Sequence, residues 1–154
     1  VEECVDKNNL VIKDFDEGKS ESVENNKPIL LDFTGWACAN CRRVEENTWS
    51  EPKVYDMINN EFILISLYVD DRSDLNQDQI IILTDKNGNE KTLKKVGEKW
   101  SAFQTINFKN NSQPYYVLLS PNLEVLNKPI QYTDTDTYQS WLSEGLENFK
   151  KNYK

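Results

Sequence analysis

Residues 30–49 read LLDFTGWACANCRRVEENTW. The stretch opens apolar, is interrupted by one carboxylate at Asp32, and then carries two cysteines, Cys38 and Cys41, with two residues between them. The run from Pro28 to Phe33 reads as a strand buried on both faces, because a strand covered on one side only would alternate apolar with polar. From Cys41 onward, Val44, Trp49, Val54 and Met57 are apolar among charged neighbours, which describes helix. Pro52 cannot sit inside a helix, so a break or a fresh start falls around Ser50. The cysteine pair therefore lies where a buried strand hands over to a helix.

That placement suggests a chemistry. A helix start offers unpaired N–H groups and the positive end of the dipole, both of which favour a thiolate. Cys38 is the candidate nucleophile on a partner's disulfide, and Cys41, one turn on, is the candidate resolving thiol. Three other readings compete. Half a zinc site would need more ligands, yet the chain has no histidine and no second CxxC. A purely structural disulfide closing so short a loop would remove little unfolded-chain entropy. Two buried, inert thiols would make the spacing a coincidence.

Asp32 favours the redox reading. A lone carboxylate in an apolar strand is costly unless it has a purpose or a partner. The functional role is a buried proton acceptor for Cys41, its pKa raised by desolvation. The alternative is a carboxylate bonded locally or paired with a lysine. Further on, Pro114 opens another apolar run, a position strands allow to proline. Backbone near Gln113 could there receive an extended partner peptide as an added strand. By position alone the Gln113–Pro114 bond is expected trans, since only about 5–6% of such bonds are cis.

Bulk properties narrow the field. The 154 residues fit one domain with its own core. The 26 acidic against 18 basic residues give a formal net charge of −8. That sign argues against nucleic acid or an anionic membrane as the main partner. The lack of histidine excludes Ser-His and Cys-His catalytic pairs, Cys₂His₂ zinc and His-ligated haem. The chain starts at Val1 without a charged start and apolar signal core, and is read as a mature form or excised domain. Cys4, the third cysteine, is expected to be a free or lipid-proximal thiol with no assigned role.

Along the chain, 10–15 reads as a short strand and 14–27 as a weak helix ending near Asn25 or Asn26. A second buried strand covers 61–70. In 71–95, Asn87-Gly88 between apolar runs signals a hairpin. A helix fits 97–107, with Trp100, Phe103 and Ile106 as its inner face. Residues 114–120 form a third long strand, and 123–126 pair back on it as a fourth. A closing helix starts at Asp134 or Asp136 and turns Tyr138, Trp141, Leu142, Gly145 and Phe149 inward. The order implies an α/β fold with a mixed sheet between helices.

With these residues in place, the chain resembles the thioredoxin superfamily. More narrowly it is similar to the C-terminal thioredoxin-like domain of DsbD-type thiol:disulfide interchange proteins. The shared pattern stands here as Lys27, Pro28, Leu31, Asp32, Phe33, Cys38, Cys41, Arg42, Glu45, Thr48, Trp49, Pro52 and Val54. The resemblance implies a thioredoxin-like fold over 27–154, with a central four- to five-stranded sheet, an inserted hairpin at about 71–95, and 1–26 as an N-terminal extension. It implies that Cys38 attacks, Cys41 resolves, Asp32 is the buried carboxylate and Pro114 is cis. Trp36, Ala37, Ala39, Asn40, Gln113 and Pro114 are the expected substrate contacts. No metal and no organic cofactor is expected beyond the Cys38–Cys41 disulfide itself. Expected partners are protein thiols and disulfides, a membrane electron-donor domain, and extracytoplasmic disulfide isomerases or cytochrome c maturation proteins. A monomer in the periplasm, or otherwise outside the cytoplasm, is implied, with no nucleic-acid role. The sequence departs from the superfamily in having Ala37 directly before Cys38, with Trp36 one place earlier, so Trp36 is expected to pack beside the site. The competing function is a non-catalytic adaptor that holds a protein partner; a metal-binding module is the third.

Overall fold

The computed structural model describes residues 11–152. Cys4 and Leu10 lie outside the described residues. Among those residues the central sheet has four strands in the order β1-β3-β2-β6. These are β1 (Val11–Ile12), β2 (Ile29–Thr34), β3 (Ile63–Tyr68) and β6 (Tyr115–Leu119). β1 and β2 run parallel to β3, while β6 runs antiparallel to β2. A separate two-stranded hairpin is formed by β4 (Ile81–Thr84) and β5 (Glu90–Leu93). The described residues also form five α-helices, α1 (Phe15–Asn25), α2 (Ala39–Asn47), α3 (Pro52–Glu61), α4 (Val96–Phe108) and α5 (Thr135–Asn152), and a short 3-10 turn at Gln77–Gln79.

The continuous apolar runs are explained by helices on both faces of the sheet. Leu30, Leu64, Tyr116 and Leu118 pack with Val44, Val54, Ile58, Tyr138 and Leu142, under α2, α3 and α5. Ile29, Leu31, Phe33, Ile65, Leu67 and Val117 pack with Phe15, Trp100 and Phe103, under α1 and α4. Side chains alternate along a strand, so Asp32 falls on the α2–α3–α5 side with Leu30.

Local chemistry sets the helix ends. Asp14 caps α1 by accepting from the Glu17 N–H at 3.0 Å, and Asn26 ends it in the left-handed region at φ 51°. Pro52 is the first residue of α3, so the expected break separates two helices. Asp134 caps α5 through the Thr137 N–H at 2.8 Å.

Two expectations need correction. Residues 123–126 do not form a strand. Leu126 N–H donates to Leu118 and Ser120 N–H to Glu124, but the ladder is a single bridge between Leu119 and Val125. Leu123 sits at φ 68°, a turn conformation that shortens the pairing. The inner face of α4 is also different. Trp100 and Gln104 are buried and Phe103 is partly buried, whereas Ile106 is 55% exposed. A strict spacing of three drifts off a face whose period is 3.6.

Candidate active site

The turn between β2 and α2 holds the cysteines. They are joined as a disulfide with Cα atoms 5.2 Å apart. Cys38 is the N-cap of α2, and its sulfur accepts from the Cys41 N–H at 3.1 Å. The two cysteines differ in access: Cys38 is partly exposed and Cys41 is 1% exposed. An incoming group therefore meets Cys38 first.

The turn itself is held by Asp70, just beyond β3. Its carboxylate accepts from the Trp36 N–H at 2.9 Å and the Ala37 N–H at 3.1 Å. The Trp36 ring stacks on Tyr68 with centroids 3.8 Å apart, and Lys13 Nζ lies 5.0 Å from the Trp36 ring centre. Trp36 is 53% exposed, so it forms a shelf on the β3 side of the turn. Ala37 and Ala39 are exposed; Asn40 is partly exposed and accepts from Arg43 Nη1 at 2.8 Å.

Asp32 lies in the sheet beneath α2, 1% exposed. The register sets Ser66 on one side of it and Tyr116 on the other. Ser66 Oγ donates to Oδ2 at 2.8 Å, while Oδ1 is buried without a hydrogen-bond partner. Burial pushes the Asp32 pKa up to about 8; the Ser66 bond opposes this, the Glu45 charge adds to it and Arg42 lowers it. Both charged groups come from α2: Arg42 Nη2 donates to Glu45 Oε2 at 2.9 Å and to Thr34 Oγ1 at 3.0 Å. Burial likewise pushes the Tyr116 and Tyr138 hydroxyls up, and the nearby Asp32 charge adds to both.

The Gln113–Pro114 bond is cis. Tyr115 pairs with Phe33, so Pro114 arrives at the same end of the sheet as the Thr34–Cys38 turn. Pro114 is buried and Gln113 partly exposed. Among the described residues no group of three or more Cys, Asp or Glu side chains is placed to hold a metal ion.

Sequence reasoning missed Ser66, Tyr116, Asp70, Arg42 and Glu45 as parts of this site. The last two carried a signal: they stand one helical turn after Cys38 and Cys41. Ser66, Tyr116 and Asp70 reach the site only through strand register.

A disulfide at a strand-to-helix turn, on a mixed sheet wrapped by helices, defines a thioredoxin-type fold. The sequence matches the thioredoxin-like family over residues 11–121, and the chain belongs to it. The thiol:disulfide interchange protein DsbD of Campylobacter jejuni (strain RM1221) is 38% identical over 69 residues, 45% of this chain but 12% of that protein's length. The structure of DsbH oxidoreductase matches with a TM-score of 0.62 at 14% identity, covering 88% of this chain and 83% of that one. The Neisseria meningitidis DsbD C-terminal domain in its reduced form matches with a TM-score of 0.56 at 12% identity, covering 84% of this chain and 91% of that one. At such identities the structures speak for the fold.

Proposed function

We propose that the protein is a thiol:disulfide oxidoreductase that acts mainly as a reductase of protein disulfides outside the cytoplasm. The observation that carries this is the unequal access of the two cysteines at the start of α2, Cys38 partly exposed and Cys41 buried. In the reduced protein, Cys38 thiolate attacks one sulfur of a partner disulfide. That bond breaks, a Cys38–partner bond forms, and the released sulfur takes up a proton. Cys41 gives its proton to ionised Asp32, directly or through water, and attacks the Cys38 sulfur. The mixed disulfide breaks, the Cys38–Cys41 bond closes, and the partner leaves as a dithiol. Two electrons pass to the partner, and a second dithiol must supply them back.

The exchange needs no organic cofactor. Similarity to DsbD supports a membrane-embedded electron donor, with disulfide isomerases or cytochrome c maturation proteins as recipients. The net charge of −8 supports protein partners over nucleic acid. No helix among the described residues is long and apolar enough to cross a membrane.

Insulin reduction driven by dithiothreitol tests the reading. The wild type should accelerate it, and Cys38→Ser should return it to the uncatalysed rate. Equal rates for the two proteins would sink the idea. A Cys41→Ser variant should retain its partner as a stable mixed disulfide on Cys38, identifiable by mass spectrometry.

A further inference from the structure

The exchange chemistry makes no use of Gln104, yet it is 0% exposed in the middle of α4. Its amide is fully bonded. Nε2 donates to Asn110 Oδ1 at 2.9 Å and to the Ser112 carbonyl at 2.8 Å, and Oε1 accepts from Gln113 Nε2 at 2.9 Å. All three partners lie in the segment between the end of α4 and Pro114. The same segment is tied again: Asn110 Oδ1 accepts from the Ser112 N–H at 2.9 Å, and Ser112 Oγ donates to Gln131 Oε1 at 2.6 Å.

A buried amide stripped of its partners is costly. The 110–113 segment therefore cannot rearrange without orphaning a core side chain. This loop, which would otherwise answer to solvent, answers to the interior of α4. It ends beside the cysteine turn, because Tyr115 is paired with Phe33. An extended chain that docks on backbone binds best where that backbone is already in place.

We infer that Gln104 is a positioning residue for partner docking. It fixes Ser112 and Gln113 so that a partner polypeptide meets a preset edge beside Cys38. The inference rests on the oxidoreductase reading, and it concerns polypeptide disulfides rather than small thiols, which need no such edge.

Gln104→Met keeps side-chain length and removes all three bonds. KM for insulin should rise about tenfold, while kcat, the rate of exchange with dithiothreitol and the Cys38–Cys41 reduction potential stay within about twofold. Gln104→Glu, which keeps the acceptor for Gln113 but sets a carboxylate oxygen against the Asn110 and Ser112 oxygens, should raise KM at least as far. A folded Gln104→Met with wild-type KM overturns the inference, as does dithiothreitol exchange falling in step with insulin reduction. Should Gln104→Met not fold, Asn110→Ala, which removes the shared acceptor, carries the same expectations and the same contrary outcomes. If wild type itself fails to reduce insulin, the oxidoreductase reading falls and takes this inference with it. An active wild type beside a Gln104→Met with normal KM sinks this inference alone.

Discussion

Asp32 holds its proton to neutral pH because burial outweighs the one hydrogen bond from Ser66. Its pKa stands at about 8 in the fold against 3.8 ordinarily. The raised value means that the folded chain binds this proton more tightly than the unfolded one. The stabilisation is full below the unfolded pKa and is lost as pH rises toward the folded one. Between about pH 4 and 8, this group should progressively destabilise the fold as pH rises, levelling off above. Asp32→Asn should lack that slope. Urea unfolding at several pH values should then show the variant gaining on the wild type up to about pH 8. Parallel profiles would mean an ordinary carboxylate. Exposed Asp85, Glu98 and Asp134 are shifted the other way by backbone hydrogen bonds, but they are common to both proteins and cancel in the comparison. Catalysis should show the opposite trade. Resolution by Cys41 needs ionised Asp32, so its rate should rise with pH through about 8 in wild type. In Asp32→Asn it should be slower by roughly 10²-fold near neutral pH, and its rise should follow only the ionisation of the Cys41 thiol to solvent, as stopped-flow release of a model mixed disulfide would record.

At the scale of elements, the long strands and α5 were legible because their patterns admit one reading. An unbroken apolar run with proline in front is a buried strand, and five inward residues on α5 trace one stripe. The face of α4 was misread because two aromatics and an isoleucine at spacing three outweighed a glutamine. An amide at the centre of a helix looks like surface until its partners in another segment are known. The register that sets Ser66 and Tyr116 beside Asp32 leaves no local trace, since several registers would bury the same apolar residues. Gly97 is another case. A Cβ there would lie 2.5 Å from the Val69 carbonyl oxygen and 2.7 Å from the Asp71 nitrogen, both backbone, where α4 presses on the chain leaving β3. At Gly18 in α1 a Cβ would instead meet the Ile65 side chain, at 2.2 Å from Cδ1 and 2.3 Å from Cγ1. A side chain can repack at a cost, here within a closed core because Ile65 is fully buried, whereas a backbone cannot. Gly97→Ala should therefore cost more than Gly18→Ala, with the former at about 3 kcal/mol and the latter at about 2. Equal losses by denaturant titration would show that α4 can slide away from the strand end.

At the scale of the molecule, the question is what the β4–β5 hairpin adds to a fold whose sheet closes without it. It forms its own ladder and joins none of the four central strands. Its turn is self-sufficient: Asp85 accepts from the Asn87 and Asn89 N–H groups, and Gly88 takes φ 83°. What anchors it is its base. Leu75 N–H donates to the Lys94 carbonyl at 2.7 Å, Val96 N–H to Ser73 at 2.9 Å, and Lys95 pairs with Asp74. Leu75 and Leu93 are both buried at that base. Beyond it, Ile82 is 59% exposed and β5 shows only Leu93 inward. The distal part thus contributes little apolar burial, and the thiol turn is fastened by Asp70, which precedes the insert. Replacing residues 83–91 with a short glycine–serine linker keeps the base, including the Ile81–Leu93 pair. The shortened protein should fold cooperatively with Tm lower by only about 2–4 °C, the equivalent of roughly 1 kcal/mol in a chain of this size. Its Cys38–Cys41 reduction potential should match that of the whole chain. A collapsed fold or a shifted potential would show that the distal hairpin supports the site after all.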